Sequence, residues 1–304
     1  MSPHFRFAFC SLFVFGVLSL ASPSPAENTG AQQNPAAADN MRELRHQDPQ
    51  WQAVKLHLPD PATATAQQLE TVGDVLRARR FPEDAIDYYN YALQHGGDEA
   101  TLMNKLGVTQ LDLHHTAAAR AYFSRVVKLK KKDSVAWNNL GAVEYIDSRF
   151  GIAISDYKNA IKLNRNSAIY RSNLATALFE EKDYKHAREQ FKLAIKLDPD
   201  VAHHDGVGGL TAHMVSPEDH ARYCFEMARM YSELGDEVNM FHYLAMASEA
   251  GFDVMSAMHD GDMSKYRKDP RVIVLVENAK ALRSGGTVKS ARSEMPPLPP
   301  VQQH

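Results

Sequence analysis

A small residue returns every 34 positions along the middle of this chain: Gly73, Gly107, Gly141 and Ala175. Twelve residues behind each stands an alanine, Ala85, Ala119, Ala153 or Ala187. Four residues later comes a ring, Tyr89, Phe123, Tyr157 or Phe191, and three after that Ala92, Val126, Ala160 or Ala194. Four phased positions repeated four times without a gap describe four copies of one structural unit. A period of this length belongs to stacked helical pairs, in which each unit buries its apolar face only against its neighbours.

The spacing has a packing reason. Helix axes approach to 8–10 Å, and the near end of that range needs small side chains at the crossing. Glycine inside a helix costs roughly 1 kcal/mol relative to alanine, so three units with glycine at the same place imply a close approach that returns at least as much. The ring fills the seam between the two helices. The last small residue lets the next unit stack, and Val126, the bulkiest there, predicts slight splaying.

The third unit carries the fullest pattern, with Trp137, Leu140, Gly141, Ala153, Tyr157 and Ala160 at positions 4, 7, 8, 20, 24 and 27, and the fourth adds Pro199 at position 32. In these residues the chain resembles the tetratricopeptide repeat family. The resemblance implies an all-α fold, a right-handed superhelical array of antiparallel helix pairs, with units at 66–99, 100–133, 134–167 and 168–201. Beyond an off-period insert at 202–220, residues 221–252 read as a degenerate fifth unit: Met227 and Ala228 at positions 7 and 8, Tyr231 at 11, Gly235 in the turn, Ala247 at 27. A capping helix follows, starting at Asp269-Pro270 and ending near Leu282, so 221–282 closes the array. Residues 283–304, with Pro296-Pro297-Leu298-Pro299-Pro300, form a disordered tail.

The ends bound the setting. Arg6, the uncharged apolar run from Phe7 to Leu20, and small-x-small sites ending at Ala21 and Ala26 predict a cleaved signal over 1–26. The expected location is periplasmic or secreted, with no membrane span left after cleavage. Residues 27–65 read as a linker and an amino-terminal clip carrying Leu44, Trp51, Val54 and Leu56. Cleavage removes Cys10 and leaves Cys224 alone, so no internal disulfide can form. A formal net charge of -3 offers no basic footprint for nucleic acid, and the run from Lys128 to Lys132 reads as a solvated helix end.

The resemblance also implies where a partner sits. In this family the first helices line a groove through positions 2, 5, 6, 9, 12 and 13. Those positions hold Asn104 and Lys105, then Asn138, Asn139 and Tyr145, then Asn173, Thr176 and Phe179. A carboxamide both donates and accepts, so a row of asparagines can pair with an extended peptide backbone; the alternative is that these asparagines bond their own scaffold. On the first reading, removing Asn139 and Asn173 weakens capture and leaves the melt unchanged. The family's carboxylate clamp is absent, because Glu70, Asp74 and Val135 stand where its cations and asparagine belong.

No catalytic, cofactor or metal residue is assigned. His203, His204, Asp205, His213, Asp219 and His220 could converge on a metal, but no helical spacing fixes them and a solvated loop is the simpler reading. Gly206-Val207-Gly208-Gly209 lacks the lysine and hydroxyl of a phosphate loop. Asp260-Gly261-Asp262 reads as a turn. Cys224 reads as an inert buried thiol with no local histidine to activate it. The expected function is a protein–protein interaction scaffold that takes a partner segment in the groove. Two alternatives stand beside it: a metal-dependent enzyme using the histidine insert, and a self-assembling envelope subunit.

Overall fold

The computed structural model describes residues 41–201, 217–259 and 261–285, and every regular element among them is helical. The expected signal, the linker to residue 40, the histidines at 203, 204 and 213, the Gly206–Gly209 run, Asp260 and the proline-rich tail lie outside the described residues. Residues 41–48, helical over 41–45, belong to a separate compact unit. The array lies in the other. It opens with α1 (Pro49–Lys55). Four helix pairs follow: α2 (Ala66–Ala78) with α3 (Pro82–Gln94), α4 (Glu99–Asp112) with α5 (Thr116–Leu129), α6 (Ser134–Ile146) with α7 (Phe150–Leu163), and α8 (Ala168–Glu180) with α9 (Tyr184–Leu197).

The local signals that start and stop these helices repeat with the units. Each first helix begins behind a capping side chain, Thr65, Asp98, Asp133 or Ser167, which accepts from a backbone N–H three residues on. Thr65 and Gln68 complete a capping box. Each first helix ends with a residue in the left-handed region, Arg80, His114, Ser148 or Lys182. The next N–H then reaches back five residues, as from Phe81 to Leu76 O at 2.9 Å and from Arg149 to Glu144 O at 2.8 Å. This is the hydrogen-bonded stop that glycine usually makes, here made by residues that give no glycine signal.

The seam inside each pair is tight for the reason the spacing suggested. A Cβ on Gly73 would stand 2.5 Å from the Tyr89 ring, on Gly107 2.6 Å from Phe123, and on Gly141 2.8 Å from Tyr157. The ring at position 24 therefore occupies the volume of the missing side chain. Ala85, Ala119, Ala153, Ala92, Val126, Ala160 and Ala194 are all fully buried. First helices also touch the next unit's first helix, α4 against α6 and α6 against α8, and so define an inner face.

The fifth pair departs from the expected register. α10 (Pro217–Leu234) and α11 (Glu237–Glu249) form a hairpin with Gly235 at the left-handed turn, but the hairpin docks in the reverse sense. Within the array, a second helix runs against the next first helix: Ala119 and Phe123 of α5 pack on Val143 of α6, while Val126 packs beside Ala136. Between α9 and α10 the numbers rise together. Lys182 pairs with Asp219 at 2.6 Å, Arg222 lies over the Tyr184 ring, Arg188 pairs with Glu226 and Lys192 with Glu233. α10 is therefore parallel to α9. The array's own connections are short, as at 130–133. α10 also begins four residues earlier than position 1 of the expected unit at 221. α12 (Val254–Ala257), a 3-10 turn at Ser264–Tyr266 and α13 (Pro270–Arg283) follow, and α13 packs on α11. Val272 and Val276 of α13 join the core of this closing region.

The seam yields a test. Gly141→Ala improves helix propensity by roughly 1 kcal/mol, yet its Cβ meets a fully buried ring that cannot withdraw. We expect a net loss of about 1–2 kcal/mol in chemical denaturation. A variant as stable as the parent would show that the seam has slack.

Candidate functional site

The inner face is built from the first helices, and its side chains are joined across units in a regular way. Lys105 on α4 reaches Glu70 on α2 at 2.7 Å. Asn139 on α6 donates to Asn104 Oδ1 on α4 at 3.0 Å. Asn173 on α8 donates to Asn138 Oδ1 on α6 at 2.9 Å. Each donor stands at position 6 and each acceptor at position 5 of the unit before. Asn138 also donates to Asn139, at the long distance of 3.4 Å, so the carboxamides form a chain from α4 to α8. A second row links position 12 to position 13 of the next unit: Arg77 donates to Asp112 at 2.6 Å and Tyr145 to Glu180 at 3.0 Å.

This geometry bears on the two readings of the asparagines. Asn138, Asn139 and Asn173 are buried, as are Tyr145, Thr176 and Phe179, while Asn104 and Lys105 are half-buried. Thr176 returns its hydroxyl to Ser172 O. Phe179 packs edge-on against Tyr223 of the reversed helix. Lys105 is engaged by both Glu70 and Asp74; burial works against its charge, but the two carboxylates outweigh it and hold the ammonium above its usual range. The carboxamides tie the units to one another, as the scaffold reading of these residues expected. The signal for this was present in the sequence as donors and acceptors 35 residues apart.

Between its polar links the inner face carries an apolar stretch. Between the polar links at its two ends, positions 12 and 13 hold Leu111 and Ile146. Ile146 is 52% exposed; Val108 and Leu111 beside it are half-buried over the Phe123–Val143 cluster.

A family model for the tetratricopeptide repeat matches residues 73–134 and 147–202. These segments are tetratricopeptide repeats. Among solved structures it is similar to residues 41 to the end of MamA from Desulfovibrio magneticus RS-1, at 17% identity over 61% of this chain and 94% of that one, TM-score 0.44. It is similar to the Pseudomonas aeruginosa protein pilF, at 19% identity over 71% and 93%, TM-score 0.47. It is also similar to YrrB, described as a TPR protein with an unusual peptide-binding site, at 19% identity over 64% and 90%, TM-score 0.42. No curated protein matches the sequence.

The tetratricopeptide array also carries a charged cluster at its second-to-third unit junction. Glu144, almost fully buried, takes Arg120 at 3.0 Å and Arg149 at 2.5 Å, and Asp147 takes both arginines as well. Asp156 on α7 is buried nearby. Burial, and then the Glu144 charge, push its carboxyl up to about 7. Cys224 does have a histidine neighbour, which the sequence reading missed: His220 Nε2 lies 3.6 Å from its sulfur, one helical turn away. Burial nonetheless pushes the thiol up to about 11, away from a reactive thiolate. Asp219 is held by Lys182. Among the described residues no three His, Cys, Asp or Glu side chains gather to hold a metal, and no helix is long and apolar enough to cross a membrane.

Two outcomes follow from these polar groups. Asn139→Ala with Asn173→Ala deletes two interunit links and leaves Asn104 and Asn138 short of a partner. We expect a loss of about 2–4 kcal/mol in a denaturant titration; an unchanged melt would return these residues to a surface role. Asp156 binds its proton more tightly folded than unfolded. Between about pH 4 and pH 7 the native state therefore holds the extra proton, and stability falls as pH rises through that window. Asp156→Asn, which mimics the protonated form, should stabilise by about 1–2 kcal/mol at pH 8, with the gain fading toward pH 4. A pH-independent difference would place the charge elsewhere.

Proposed function

We propose that the protein holds a segment of a partner protein against the inner face of its array, centred on Val108, Leu111 and Ile146. Repeats of this family are typically non-enzymatic scaffolds, and a protein-interaction role is what the fold supports. The observation that carries the finer reading is the exposure of Ile146 in a row where Arg77 pairs with Asp112, Tyr145 pairs with Glu180 and Leu111 is half-buried. An exposed aliphatic side chain on a face that otherwise satisfies itself offers area to an apolar partner side chain. The uncharged run from Phe7 to Leu20 with the small-x-small sites after it supports an exported chain, periplasmic or secreted.

The test compares two baits in affinity capture from the native envelope fraction, read by mass spectrometry. The intact chain should retain a partner that Ile146→Asp loses by tenfold or more, with no change in the melt. Lys158→Glu, on the exposed side of α7, should retain it. Identical capture by the intact chain and Ile146→Asp would remove the inner face from the account.

A further inference from the structure

The start of the array carries a second unfilled face, away from the inner one. A groove runs between α1 and α2, lined by Ala53, Val54 and Leu58 on one side and Val72, Val75 and Arg79 on the other. The repeat itself indicates what belongs there. Position 10 of a first helix is fully buried in units two, three and four, as Thr109, Val143 and Ala177. Val143 and Ala177 lie in clusters with Ala119 and Phe123, and with Ala153 and Tyr157, from the preceding second helix. In unit one the same position is Val75, and it is 43% exposed. α1 takes over only part of the missing neighbour's work, through Trp51 against Phe81 and through Val54. The positions nearest the end of α2 stay open.

Charge specifies the occupant further. At the second-to-third junction the covering helix supplies Arg120, which meets Glu144 and Asp147 at positions 11 and 14. In unit one those positions are Leu76 and Arg79. Arg79 is exposed and has no acidic partner among the described residues. The sign is inverted, so a helix covering this face must bring a carboxylate where α5 brings Arg120. We propose that the groove docks an amphipathic helix of a partner protein, antiparallel to α2, with a small and an aromatic side chain on Val72 and Val75 and a carboxylate on Arg79. The partner extends the array by half a unit. This site is independent of the inner face, and Ile146→Asp leaves it intact.

The probe is a labelled synthetic peptide with the α5 sequence, TAAARAYFSRVVKL, in two forms, unchanged and with Arg120→Glu. Fluorescence anisotropy against the full chain reads binding. The Arg120→Glu peptide should bind about two- to fivefold more tightly than the unchanged one, the scale of one exposed ion pair. Arg79→Glu in the protein should reverse that order. Val75→Asp should abolish binding of both peptides without moving the melt. The proposal is overturned if neither peptide binds up to about 1 mM, or if Val75→Asp binds like the parent. It is also overturned if sedimentation shows that Val75→Asp turns a dimer into a monomer, which would make a second copy the occupant.

Discussion

The array depends on one contact repeated in three units: an aromatic ring lying where a glycine has no side chain. The approach of Tyr89 to Gly73, Phe123 to Gly107 and Tyr157 to Gly141 fixes how close the two helices of a unit come. That distance sets where the residue at position 27 falls and whether the next first helix can seat on it. The fourth unit shows the alternative solution. Ala175 stands there in place of glycine, and Phe191 keeps a trace of exposure that Phe123 and Tyr157 do not. Glycine is therefore not needed for a pair to form; it lets the ring be sealed completely.

This contact explains why so much of the fold could be read from residues alone. Small side chains and rings at fixed spacing are direct statements about volume, and volume is what close packing conserves. Two features were hidden for opposite reasons. The left-handed stops at Arg80, His114, Ser148 and Lys182 recur every 34 residues but carry no common side chain, so only backbone geometry reveals them. The asparagines carried a strong chemical signal with two readings, a guest or the scaffold. A carboxamide on a first helix can face a guest or a neighbour, and composition does not choose. The choice is made by the acceptor 35 residues earlier, Glu70, Asn104 or Asn138, which turns each donor at position 6 inward.

The reversed pair was illegible for a topological reason. Met227, Ala228, Tyr231 and Gly235 satisfy the local demands of a helical hairpin, and a hairpin is what forms. Its direction on the array shows in side chains that meet only once it has docked. Arg188 and Lys192 on α9 can pair with Glu226 and Glu233 only when α10 runs parallel to α9. The apolar contacts agree, since Tyr223 enters between Phe179 and Phe191. A hairpin in the family's sense would have separated these groups by most of a helix length.

Reversal also changes what the array can do at that end. A fifth pair in register would present another first helix to the inner face and a fresh stacking surface beyond it. The reversed pair instead lays Tyr223 over Phe179, and α13 then covers α11. The last unit's inner positions are consumed by packing, which is why Thr176 and Phe179 are buried while Ile146, one unit earlier, is open. The opposite end has only the short α1 as its cover, and the face at Val75 and Arg79 stays incomplete. A repeat array built by stacking has two ends to satisfy. This one satisfies them unequally, so apolar side chains stay open at Ile146 in the middle of the inner face and at Val75 in the first helix pair.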